Sequence, residues 1–179
     1  MGLLARAILV VVAAGTTAGC FQPLYSEQPL PGGPGVAAAL NAVDVLQIDA
    51  ATGTEDARIA VEVRNDLLFN LQGGSGGGSP THALKIRLIP SRYPIIQDFQ
   101  TARASSELYS ITATYVLTDL RTGKVALNDT TVAKVSFDIP GEQQRFAKAR
   151  ALRDAENRAA QLIADNIRSR LASFFVAGT

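Results

Sequence analysis

Few side chains in this sequence could do covalent or acid–base chemistry. Cys20 is the only thiol and His82 the only imidazole in 179 residues. Nucleophilic catalysis by a Cys–His pair needs both groups within hydrogen-bond reach. Here Cys20 closes an apolar N-terminal stretch, and His82 follows a glycine-rich connector. A Ser-His-Asp arrangement would have to use that same histidine, and a lone histidine after a linker is usually a surface residue. Asp129 and Asp138 share one strand segment without supporting ligands. The run Gly73–Pro80 could cradle a phosphate only if a helix began after it. It has no Gly-Lys-Ser/Thr, and the pattern puts a helix before it and a strand after it. These observations exclude a recognisable active site. No catalytic residue, metal site or cofactor is expected, and the chain reads as a non-enzyme.

The chemistry that remains belongs to Cys20. Arg6 precedes an uncharged apolar run from Ala7 to Ala14, then the small residues Gly15-Thr16-Thr17-Ala18-Gly19, then the cysteine. A basic start, a short apolar stretch and a small-residue cleavage site describe a secretory signal. The run is well short of the roughly 20 residues that span a bilayer. Cysteine directly after Ala-Gly resembles a bacterial lipobox, with Thr17 where leucine is usual. In that motif the thiol is acylated and the chain is cut before it, so residues 1–19 read as a lipoprotein signal peptide. The alternative is a plain signal beside a free thiol, an oxidation liability in a secreted chain. Phe21 rather than Asp follows the cysteine. By resemblance to bacterial sorting rules, this directs the protein to the periplasmic face of the cell outer membrane.

Cleavage before Cys20 leaves 160 residues, enough for one domain with its own core. With Arg6 gone the charges balance, but unevenly. Cys20–Pro80 holds two basic and seven acidic residues, Thr81–Val135 seven and four, and Pro140–Phe175 again seven and four. This excess is too small for nucleic acid and suits an anionic lipid head group.

Several elements must carry these charges. Residues 21–42 contain Pro23, Pro29, Pro31 and Pro34 with Gly32, Gly33 and Gly35, and read as an irregular tether. A short strand is expected over 43–49. Thr52 and Glu55 have capping-box spacing for a helix over 54–71, whose stripe is Ile59, Val63, Leu67 and Leu71. A strand follows over 82–89, with Pro90 and Pro94 ending or bending it. The clearest alternation, Tyr109, Ile111, Ala113, Tyr115 and Leu117, predicts a strand over 107–119. Arg121-Thr122-Gly123-Lys124 turns the chain into a strand over 125–138. The last helix is expected over 142–174, with Asp138 as cap and a thin stripe near 149–151 where it could break. Its apolar stripe runs Leu152, Ala155, Ala159, Ile163, Ile167 and Leu171, with Phe146 and Phe174 at the ends. The order is β-α-β-β-β-α. It predicts an α+β two-layer sandwich, with two helices packed on one face of a four-stranded mixed sheet.

Cys20 followed by Phe21-Gln22-Pro23-Leu24-Tyr25, this element order, and the tail helix from Ala155-Glu156-Asn157-Arg158 through Ile163-Ala164-Asp165 to Arg170-Leu171 resemble the LPS-assembly lipoprotein family LptE. The family usually has a glycine between the cysteine and the phenylalanine, which this chain lacks. The resemblance implies an LptE-like domain over 43–176 behind a lipidated Pro/Gly-rich tether over 20–42. It implies a plug in the outer-membrane β-barrel LptD, helping its assembly and the insertion of lipopolysaccharide into the outer leaflet. Partners would be LptD, lipopolysaccharide and the membrane through the anchor, with no nucleic acid. Basic residues on strand ends and loops would meet the anionic lipid: Arg92, Arg103, Arg121, Lys124 and Lys148. The competing reading is an auxiliary periplasmic lipoprotein of a lipid-transport ABC system.

Overall fold

The computed structural model describes residues 35–73, 78–98, 103–139 and 145–177, without the side chains of 96–98, 103 and 104. The signal segment, Cys20 and most of the tether lie outside these residues. Three strands alternate as the sequence dictates, and their apolar faces need a cover. Two long helices supply it. In chain order the elements are α1 (Val36–Asn41), β1 (Val43–Val45), α2 (Glu55–Gln72), β2 (His82–Asp98), β3 (Arg103–Asp119), β4 (Val125–Asp138) and α3 (Arg145–Ala177). The sheet order is β1-β2-β3-β4, with β1 parallel to β2 and the other pairs antiparallel. The α+β sandwich on a mixed sheet is therefore the architecture of the chain, with one further short helix.

That helix, α1, corrects the reading of 21–42 as tether throughout. Val36 and Leu40 are buried against α2 and α3. One turn and a half of apolar residues forms because it has somewhere to dock, which local composition does not reveal. The strand expected over 43–49 stops at Val45; Leu46 adds one more backbone bond, its N–H donating to the Leu84 carbonyl at 3.0 Å.

The cap of α2 is Thr54, not Thr52. The Thr54 hydroxyl accepts from the Ala57 N–H at 3.2 Å, and Glu55 and Asp56 sit in the first turn, where the helix dipole favours them. Gly73 ends α2 at φ 61°, donating its N–H to the Phe69 carbonyl at 2.8 Å.

β2 does not stop at Pro90. It pairs with β3 as far as Asp98↔Arg103, with register shifts between Pro94 and Gln97. Beyond Leu84 it is an edge strand, where a missing N–H costs no ladder bond. The long partner also starts β3 at Arg103 rather than 107. The last helix starts at Arg145, so Asp138 ends β4 and does not cap it, and no break interrupts it near 149–151. Its 33 residues run about 50 Å. Phe146, expected at one end of the apolar stripe, is instead 90% exposed.

The core lies between the helices and one sheet face. Ile59, Val63 and Leu67 of α2 and Ile163, Ile167 and Leu171 of α3 meet Leu84, Tyr109, Ile111, Tyr115 and Leu117 of the sheet. Alanines 155, 159, 160 and 164 are buried, and their small size lets α3 approach closely. Arg58 pairs with Glu156 and donates to the Asn157 side chain at 3.1 Å; Asn70 donates to Asp165 at 3.1 Å. These contacts ascend both helices together, so α2 and α3 run parallel. Glu156 is 2% exposed, a burial tolerable only because Arg58 answers its charge.

Candidate functional site

Strand pairing sets the length of the molecule and separates the basic residues singled out in the sequence. Arg92 stands opposite Tyr109, ten residues along β3 from the hairpin turn at Asp119. At about 3.4 Å per residue that is roughly 34 Å. Arg121 and Lys124 are exposed at this hairpin end. Arg92 is exposed at the other end, on the helix side of the sheet. Lys148 lies toward the Arg92 end: α3 passes Asp129 at Arg170, Thr131 at Asn166 and Ser136 at Arg158, so its first turns project past the end of β4. Arg103 pairs with Asp98 at the tip of the β2–β3 ribbon, and its side chain is outside the described residues. The five residues thus form two groups, not one site.

The hairpin end is rigidly built. The Asp119 carboxylate accepts from the Arg121 N–H at 2.7 Å and the Thr122 N–H at 3.1 Å, and Gly123 takes φ 68°. Desolvation pushes the Asp119 carboxyl up, but these backbone hydrogen bonds outweigh it and hold the group below its ordinary value. Arg121 and Lys124 are therefore displayed on an ordered turn.

Register reveals cations that the sequence reading passed over. Lys85, Arg87, Ile89, Ser91 and Tyr93 of β2 point to the face opposite the helices. Their partners on β3 are Val116, Thr114, Thr112, Ser110 and Leu108. On β4 the same rows continue as Asn128, Thr130, Val132, Lys134 and Ser136. Lys85, Arg87 and Lys134 are exposed, and the acids whose register places them on this face are Asp44, opposite Ala83, and Asp138. Between the cations an apolar row crosses the strands, Ile89 at 53% and Val132 at 45% exposure, with Thr112 between them. Alternation over 82–89 already places Lys85 and Arg87 together. Lys134 could be joined to them only through the β3–β4 register.

A second missed cluster is Arg145, Arg150 and Arg153, exposed on α3 beside Lys148. The signal was legible: four basic residues among the nine from Arg145 to Arg153, with no acid among them.

The described residues contain no group of three or more His, Cys, Asp or Glu that could hold a metal ion, and no helix long and apolar enough to cross a membrane. His82 packs edge-on to Phe175 at 5.3 Å and contacts the Thr81 hydroxyl at 2.9 Å. Burial pushes its pKa down, against the pull of Asp119.

Residues 40–171 match the family model described as LptE, lipopolysaccharide-assembly. The chain belongs to the LptE family. Among solved structures, this LptE-family chain is similar to a Caulobacter crescentus CB15 protein described as a lipoprotein, at 19% identity and a TM-score of 0.61, covering 80% of this chain and 97% of that one. It is also similar to rare lipoprotein B from Shewanella oneidensis, at 14% identity and a TM-score of 0.53, covering 75% and 96%. At these identities the likeness extends to the fold. No curated protein matches. Among the described residues, the sheet face opposite the helices and the two basic ends carry these exposed cations.

Proposed function

We propose that this chain is an outer-membrane lipoprotein, acylated at Cys20, that sits in the LptD β-barrel and serves lipopolysaccharide insertion without catalysing a reaction itself. The observation that carries the reading, beside the family match, is the uncovered sheet face. It combines Lys85, Arg87 and Lys134 with an exposed apolar row. Such a mixture fits a partner with anionic groups and acyl chains or a mixed protein wall. Arg92 and Lys148 at one end, with Arg103 in the adjoining ribbon, and Arg121 and Lys124 at the other extend the cationic contacts along the molecule.

The decisive experiment is a pull-down of tagged full-length protein in mild detergent, read by intact-mass spectrometry. A large barrel at equal stoichiometry and an acylated Cys20 are expected. Recovery as a free monomer sinks the reading, and inner-membrane permease subunits in place of a barrel would favour the transport-auxiliary alternative. Changing Lys85, Arg87 and Lys134 together to Gln should weaken lipopolysaccharide binding several-fold, with the deficit shrinking at high salt as exposed charges are screened. Titration by fluorescence anisotropy at two ionic strengths reads both effects.

A further inference from the structure

Several chain segments converge at the hairpin end. The turn between β3 and β4 is bonded to the start of β2, the Leu120 N–H donating to the Thr81 carbonyl at 3.0 Å. Thr81 donates its own N–H to the Ala42 carbonyl, just after α1, at 2.9 Å. His82, next along, packs edge-on to Phe175 in the last turn of α3. The start of the described chain, the hairpin turn and the C-terminal end of α3 therefore share one end of the molecule.

Three large apolar side chains stand exposed there: Leu120, Val125 and Val176. Arg121 and Lys124 lie between the first two in sequence and are exposed as well. Nearby acids do not cancel these cations. The Asp119 carboxylate accepts from the Arg121 and Thr122 N–H groups, and Asp129 is paired with Arg170. Asp44 stands on β1, two strands away from β3. A rigid turn that shows apolar side chains beside two cations suits the boundary of a bilayer. There the apolar groups enter the acyl region while arginine and lysine heads stay among the phosphates.

The length of chain before the domain selects that partner. Gly35 is 15 residues on from Cys20, and a chain of that length reaches at most about 50 Å. The six residues of α1 span about 9 Å, so Gly35 lies within about that distance of Ala42 and the hairpin end. The start of α3 lies at the opposite end, about 50 Å along the helix. Resting the Arg145 end on the leaflet that holds Cys20 would draw the intervening chain nearly straight, with the loss of almost all its conformational freedom. Resting the hairpin end needs no such extension, and its effective concentration at the lipid surface is correspondingly high.

We propose that the hairpin end rests on the phospholipid leaflet that holds the Cys20 anchor, with Leu120 and Val125 entering the head-group boundary and Arg121 and Lys124 meeting lipid phosphates. The inference rests on the anchor proposed above and not on the barrel; it describes the lipoprotein before it meets one. The long axis then stands off the membrane, with the Arg145 end outermost.

The test places an environment-sensitive fluorophore at Thr122→Cys in the turn and, in a second protein, at Phe146→Cys at the far end. Each acylated protein is reconstituted into phosphatidylethanolamine–phosphatidylglycerol vesicles containing a nitroxide-headgroup lipid. Quenching at residue 122 should exceed that at residue 146 by at least about threefold. Leu120→Ser, Arg121→Gln, Lys124→Gln and Val125→Thr together should erase the difference while the protein still floats with the vesicles. Equal quenching at both positions would mean that the domain lies along the leaflet, and quenching at neither that it hangs free. Either result overturns the inference and leaves the anchor standing. Quenching at residue 122 that requires lipopolysaccharide in the vesicles would give this end to that lipid, and overturns it too. A Cys20 without acyl mass overturns the anchor reading, and the inference with it. Should the fourfold variant fail to fold, the comparison of the two labelled positions still decides.

Discussion

Tyr109 shows how a residue can be obvious in kind and hidden in circumstance. Its place on the buried face follows from alternation. That the residue is 1% exposed and its buried hydroxyl has no hydrogen-bond partner among the described residues does not. Burial chiefly, then the charges of Glu55 and Asp56, hold its pKa well above the ordinary value, against Arg58 and Arg92. An orphaned buried hydroxyl costs stability, so Tyr109→Phe should stabilise the fold by about 1 kcal/mol in urea melts; a loss of that size would mean the hydroxyl has a partner. Asp66 is a comparable case with charge. Burial raises its pKa above 3.8, with Glu62 and Asp165 adding to the shift. Between the unfolded and the raised folded value the native state binds more proton, so this group's contribution to stability falls as pH rises through that window. Asp129 acts oppositely. The hydrogen bond from Arg170, then that from the Thr130 N–H, lowers its pKa, so its contribution is present above the unfolded value and is lost as pH falls through the folded one. Asp66→Asn should remove the first dependence and raise Tm at neutral pH by about 2 °C. Differential scanning calorimetry at pH 4 and pH 7 would show the gain at pH 7 alone. Neither environment can be read in full from sequence, because Asp165 and Arg170 reach these carboxylates from another helix.

At the scale of elements, strong periodicity located α2, β3, β4 and α3 to within a few residues. Boundaries failed where tertiary pairing overrode local signals. Pro90 and Pro94 read as ending or bending β2, but an open edge tolerates them and the strand runs on to Asp98. Thr52 had capping-box spacing, yet Thr54 holds the cap, bonding both the Ala51 carbonyl at 2.6 Å and the Ala57 N–H. Thr54→Ala should cost about 1 kcal/mol and Thr52→Ala far less; equal losses in chemical denaturation would return the cap to Thr52. The basic residues were legible one by one. Their sorting into two ends and a sheet face was not, since it depends on the β2–β3 and β3–β4 registers, which no turn motif at either end of β2 announces.

At the scale of the molecule, the α+β sandwich follows from two apolar helical stripes and one apolar sheet face that must meet. The piece that escaped, α1, is short and lies where prolines and glycines dominate. Leu40, 3% exposed, ties this start of the domain to the two long helices. Leu40→Ala should cost about 2–3 kcal/mol, a value that a flexible-tether residue could not give, and urea denaturation followed by circular dichroism measures it. The contact between α1 and α3 also joins the first described residues of the chain to nearly the last. During synthesis Val36 and Leu40 have only part of their burial surface until the segment around Ile163 to Leu171 has been made. The domain is thus sealed from its C-terminal end, and a growing chain holds no finished sub-domain along the way. Contacts of such long sequence separation slow folding. The polypeptide consequently spends most of its emergence unsealed.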